Sequence, residues 1–127
     1  MKPLVYKKSR RVRGTKPVRY KMHFAKGDTV RVIRGDDRGK EGKILHVHPK
    51  LLRVTVEGVN IIKKHQKART AEQESKIIER PAPIAASKVM LLDPKSGAPT
   101  RVRRRRDTDG TVERIAVKSG QPIPRVR

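Results

Sequence analysis

The sequence predicts an all-β chain built on a small, strongly bent antiparallel barrel. Three observations carry that expectation. Between residues 26 and 64 apolar residues alternate with polar ones in short runs, turn glycines separate the runs, and basic residues gather at the turns. The rest of the chain reads as attachments to this core. They are a disordered basic N-terminal arm (1–25), an extended loop (65–86), and C-terminal strands with a hairpin packed on the barrel (87–127).

Residues 1–25 carry nine Lys or Arg and no Asp or Glu, broken by Pro3, Gly14 and Pro17. Such a composition lacks the apolar surface to fold alone and suits a tail that orders on phosphate, with Arg10, Arg11 and Arg13 as candidate contacts. A solvated extension and an organellar transit peptide are the other readings. Tyr6 and Tyr20 suit stacking on unpaired bases or local packing.

In the barrel, Val30 and Val32 alternate with Arg31, Ile44 to Val47 form a second apolar run, Leu52, Val54 and Val56 a third, and Val59 to Ile62 a fourth. His48, Pro49 and Lys50 turn the second run into the third, and Gly58 with Asn60 turns the third into the fourth. Between the first two runs lies Arg34-Gly35-Asp36-Asp37-Arg38-Gly39-Lys40, a basic hairpin tip whose glycines permit positive φ and close backbone approach to a ligand. Four short strands with tight turns are most economically an SH3-like barrel.

Residues 66–85 are polar apart from Ile77 and Ile78, with Pro81 and Pro83 following, and read as a long loop tacked down by Ile77, Ile78 and Ile84. Ser87 to Leu92 predicts a fifth strand with Val89 and Leu91 on one face. Thr100 to Arg106 and Thr111 to Val117 predict a hairpin across Asp107 to Gly110. Arg103, Arg104, Arg105 and Arg106 are consecutive, so alternate residues point to opposite faces and no core hides them all.

A net charge of +22 from 34 Lys and Arg against 12 Asp and Glu exceeds what solubility needs, and points to a polyanion as partner. The candidate nucleic-acid contacts are Lys26, Arg34, Gly35, Arg38, Gly39, Lys40 and Lys43 at the tip side, Asn60, Lys63, Lys64, His65 and Lys67 after the fourth run, and the four arginines 103–106. The competing reading of the tip is a solvated turn, because Asp36, Asp37 and Glu41 stand beside its bases. Asp36 and Asp37 themselves read as exposed turn residues. His46 and His48 share a strand face, but His23 and His65 are remote in sequence, so a surface pair is expected rather than a metal site. There is no cysteine, no apolar run near the roughly 18 residues of a membrane helix, and no catalytic constellation. No cofactor, metal, small-molecule substrate, membrane or self-association is expected, and no enzymatic activity.

Gly27, Asp28, Val30, Val32, Gly35, Arg38, Gly39, Gly42, Lys43, Ile44 and Val47 resemble the KOW motif of ribosomal proteins and transcription elongation factors. Val56 to Asn60, Lys63 to Lys67, Ser87 to Val102, and Asp109 with Gly110 extend the likeness, and the chain resembles the family of bacterial ribosomal large-subunit protein twenty-four from about Met22 to Ile123. The resemblance implies a structural protein of the large subunit that binds the 5′ domain of large-subunit rRNA, acts early in assembly, and lies near the nascent-chain tunnel exit. It also implies neighbouring large-subunit proteins as partners and a place on the cytoplasmic ribosome of a bacterium, an organellar ribosome being the alternative. Some members carry zinc-binding cysteine pairs around the last hairpin. Here the matching positions are Asp93 with Ser96 and Ala116 with Ser119, so the hairpin carries over and the metal does not. A KOW-bearing RNA-binding transcription factor and a generic nucleic-acid-compacting protein are the competing functions. The first would need a folded domain upstream, and the second would not need the matches beyond the motif.

Overall fold

The computed structural model describes residues 20–125. Its strands are β1 (Thr29–Val32), β2 (Glu41–His48), β3 (Arg53–Val56), β4 (Ile61–Gln66), β5 (Lys76–Pro81), β6 (Ile84–Ala85), β7 (Val89–Leu92), β8 (Pro99–Thr100), β9 (Val102–Arg106) and β10 (Val112–Ala116), with one 3-10 turn at Ala86–Lys88. Six strands form one antiparallel sheet in the order β6-β3-β2-β1-β7-β8, and β4–β5 and β9–β10 form separate two-stranded ribbons.

The period-two alternation does what a half-buried strand requires. Val30 and Val32, Val54 and Val56, and Val89 and Leu91 all point inward and are buried. In β2 the register shifts between Ile44 and His46, so Ile44 and then Val47 face the core, and the bulge at Leu45 bends the strand around it. At Gly42 the sheet is so tight that a Cβ would collide with the Glu57 carbonyl and stand 2.9 Å from a Val56 methyl. The result is the small aliphatic barrel-like core that the alternation predicts.

Four local expectations are corrected. Phe24, assigned to the basic arm, is buried in the core with Met22 packed on it, so the folded unit begins before Lys26. Leu52 is not an inward strand residue. It closes the β2–β3 turn at φ +52° and is exposed. The run Val59 to Ile62 divides: Val59 is buried in the turn, while Ile61 opens β4, which leaves the main sheet and pairs only with β5. The places beside β3 and β1 go to β6 and to β7 respectively, and β8 lies at the far edge beyond β7. Finally, residues 65–86 are not one loop, since they contain the end of β4, all of β5, and β6.

Candidate nucleic-acid interface

The hairpin tip between β1 and β2 is built by backbone hydrogen bonds that only its glycines allow. Gly35 and Gly39 lie at φ +103° and +91°; Arg38 N–H donates to the Gly35 carbonyl (3.2 Å) and Gly39 N–H to the Val32 carbonyl (2.8 Å). Nothing lies within 4 Å of where a Gly39 Cβ would stand, so a side chain there is opposed by backbone strain alone. Arg34, Arg38, Lys40 and Lys43 are exposed around this tip.

Asp37 is more than an exposed turn residue. One carboxylate oxygen accepts from the Lys40 ammonium, and the other accepts from the backbone N–H of Asn60 at 2.8 Å. Those two hydrogen bonds, the Lys40 bond foremost, hold its pKa below the ordinary carboxylate value. Asn60 sits at φ +53°, and its side-chain amide reaches the Ala82 carbonyl at 3.5 Å. Asp37 therefore ties the tip to the root of the β4–β5 ribbon. The residues of two separate stretches, 34–43 and 60–67, meet at this joint. No sequence signal singled Asp37 out, because its partner is a backbone group 23 residues away.

The β4–β5 ribbon projects six paired residues beyond that joint, about 20 Å at the usual strand rise. Every residue of β4 is exposed. Lys63 faces Glu79 across the strands at 3.5 Å, whereas Lys64, His65 and Lys67 are exposed and make no ion pair among the described residues. Ile61 and Ile77 are half or more exposed on one face and Ile62 is exposed on the other, so both faces of the ribbon mix cations with bare aliphatic surface.

The β9–β10 ribbon carries the arginine run. Arg105 lies opposite Glu113 and is ion-paired to it (3.0 Å) and to Asp107 (3.3 Å). Arg104 lies opposite Arg114 and Arg106 opposite Val112, so these two project from one face, and Arg103 from the other. All four run arginines are exposed, and 103, 104 and 106 make no ion pair among the described residues. Arg114 is the residue the sequence reading missed. It is buried, its guanidinium bonds both carboxylate oxygens of buried Asp28, and it donates to the carbonyls of His23 (3.0 Å) and Pro124 (2.9 Å). The neighbouring His23 ring stacks near Phe24, with centroids 4.1 Å apart. Its pKa is lowered by desolvation first and then by the charges of Arg104 and Arg114, against the opposing pull of Asp28.

His46 and His48 do adjoin, with ring centroids 4.4 Å apart, and His48 meets the Thr55 hydroxyl at 3.1 Å. Among the described residues no group of three potential metal ligands forms. At the positions where zinc-binding relatives carry cysteines, buried Asp93 accepts from Ser96 Oγ (3.0 Å), Ser119 Oγ (2.6 Å) and the Lys95 N–H (3.0 Å), and Ala116 contributes only a methyl. One carboxylate, two hydroxyls and a methyl do not fit a thiolate zinc site. Hydrogen bonds join the two turns instead, and the Ser119 hydroxyl above all depresses the Asp93 pKa.

Lys26 is exposed before β1, and Arg10, Arg11 and Arg13 lie outside the described residues.

Comparison with known proteins places this geometry in context. The family model described as large ribosomal subunit protein uL24, C-terminal domain, matches residues 59–123, and the KOW motif matches residues 26–57. The chain is 55% identical to large ribosomal subunit protein uL24 of Staphylococcus saprophyticus over 102 residues, covering 80% of this chain and 96% of the relative. It is 55% identical to that of Geobacillus stearothermophilus over 100 residues, 79% and 96% of the two chains, and 54% identical to that of Staphylococcus aureus over 102.

Proposed function

The chain belongs to the uL24 family of large ribosomal subunit proteins, a family of structural proteins rather than enzymes, and from that premise we propose that it binds the 5′ domain of large-subunit rRNA. On this reading it acts early in subunit assembly and lies near the nascent-chain tunnel exit, among neighbouring large-subunit proteins, on the cytoplasmic ribosome of a bacterium. Family membership sets aside a transcription factor and a generic compacting protein.

One observation carries the RNA reading: the cations are displayed and left without counter-charge. Arg34, Arg38, Lys43, Lys64, Lys67, Arg103, Arg104 and Arg106 are exposed and make no ion pair among the described residues, while Lys40, Lys63 and Arg105 are held by acids. Such a surface repels itself until phosphates neutralise it. Arginine forks onto phosphate oxygens and lysine supplies a mobile point charge. Gly35 and Gly39 let the tip backbone approach the RNA, and Lys26, Asn60, His65 and the arm residues Arg10, Arg11 and Arg13 complete the surface.

The test is binding of the full chain to a 5′-domain transcript of Geobacillus stearothermophilus large-subunit rRNA across a salt series. With six to ten phosphate contacts, affinity falls on the order of a thousandfold or more between 50 and 200 mM salt. A flat response would remove the phosphate reading.

A further inference from the structure

We propose that the cleft beside the hairpin tip holds one unpaired nucleotide of the bound RNA, phosphate at the rim and base against the floor. The proposal rests on the RNA-binding reading and adds a specific site to it, using two cations that sequence reasoning did not select.

The cleft has a volume of about 260 Å³. That is just below the roughly 300 Å³ at which small-ligand pockets begin, so the cleft holds a base at most, with the phosphate at the open rim, and excludes a stem. Three cations from three elements converge on its rim. Arg34 comes from the β1–β2 tip, Arg53 from the start of β3, and Lys88 from the end of the 3-10 turn. All three are exposed, and none makes an ion pair among the described residues. The Lys88 ammonium lies 3.8 Å from where a Cβ of Gly35 would stand, so it hangs directly over the glycine backbone.

Two acids, Asp36 and Asp37, also line the cleft. Asp37 is already engaged by Lys40 and the Asn60 N–H, which leaves Asp36 facing three cations. The balance favours an anion. The floor is partly aliphatic: half-buried Pro83, Ile84 and Ala85 line it beside polar Asn60. A cationic rim beside a short aliphatic shelf suits the two halves of an extruded nucleotide, and unpaired positions are where proteins contact RNA bases. With no aromatic residue in the lining, the base lies flat on aliphatic surface, which tolerates any base identity.

Two variants of the full chain test this on the same 5′-domain transcript, read by salt-dependent affinity and by chemical probing of unpaired bases. Arg53→Ala with Lys88→Ala removes two of the three cations at that phosphate, and the slope of log affinity against log salt becomes shallower by about one. Ala85→Leu fills the cleft from β6 and leaves every cation in place. It keeps the parental slope but uncovers a base that the parent protein protects. Should Ala85→Leu lose its melting transition, the double variant carries the test through joint loss of slope and base protection. If the parent binds and both variants bind and protect like it, the cleft is not a nucleotide site, whereas the RNA-binding reading stands. A shallower slope with no base protected by the parent also overturns it, since the cations then meet phosphates alone. Failure of the parent itself to bind would remove the RNA reading and the nucleotide with it.

Discussion

The two ribbons share a shape and differ in what fastens them. β9–β10 is bolted to the barrel: Arg114 is buried against Asp28, Ala116 is fully buried, and the Ile123 N–H bonds the Arg114 carbonyl at 2.7 Å. β4–β5 has no buried residue, and only Ile78 and Pro81 are half-covered. Its link to the rest is the joint of Asp37, Asn60 and Ala82. The contrast separates two uses of the same motif. One ribbon completes the folded unit and leaves its arginines exposed, whereas the other is solvated surface carried outward from the barrel.

The largest effect expected from this contrast is at the bolt. Asp28→Ala leaves the Arg114 guanidinium buried without its counter-charge and costs about 3 to 5 kcal/mol, a large share of the stability of so small a core. Urea unfolding followed by circular dichroism measures it. Gly42→Ala comes next: the new methyl has the Glu57 carbonyl and Val56 in its way, and overpacking of this kind costs about 1 to 3 kcal/mol in the same assay. Gly39→Val, at φ +91° in open space, is strained by about 1 to 2 kcal/mol, and it harms rRNA affinity more than stability because it holds the tip backbone off the RNA.

The unbolted ribbon sets the opposite expectation. Ile62 and Arg80 are cross-strand partners, so an Asn-Gly turn placed between them removes residues 63–79 without disturbing the barrel. Unfolding free energy changes by less than about 0.5 kcal/mol, while incorporation into large subunits drops. A large loss of stability would show that this ribbon, too, belongs to the core.

The smallest effect is at the joint. Asp37 has a depressed folded pKa, so its contribution to stability is present above the ordinary value of 3.8 and fades as pH falls below it through the depressed value. Asp37→Asn should therefore lose a little stability at neutral pH and show a shallower decline on acidification. Parallel melting curves at neutral and acid pH check the sign.

The difference between the ribbons also explains what was legible in the sequence. Val30 and Val32, Val54 and Val56, and Val89 and Leu91 alternate because one side of each strand is buried, and that is a signal a sequence carries openly. The β4–β5 ribbon has two solvated faces, so nothing forces His65 to differ from Lys64, and residues 66–85 read as loop. Its pairing lies in register alone, which composition does not encode. Phe24 was hidden by the basic residues around it. The bolt was hidden by distance, for Arg114 stands 86 residues from Asp28 and beside a run of exposed arginines. The tip was readable because its glycines announce a turn, but the cleft beside it was not. Arg53 and Lys88 come together only when β3 and the 3-10 turn are placed in space.

The central claim is that uncompensated surface cations hold RNA while a separate set of buried contacts holds the fold, and Arg38→Glu probes it most directly. Arg38 is exposed at the tip and makes no ion pair among the described residues. Its melting temperature and its affinity for the 5′-domain transcript are measured side by side with the parent at low salt. The account predicts a melting temperature within about 3 °C of the parent and an affinity weaker on the order of tenfold or more. Parental affinity at low salt would contradict it, and would make the tip an ordinary solvated turn.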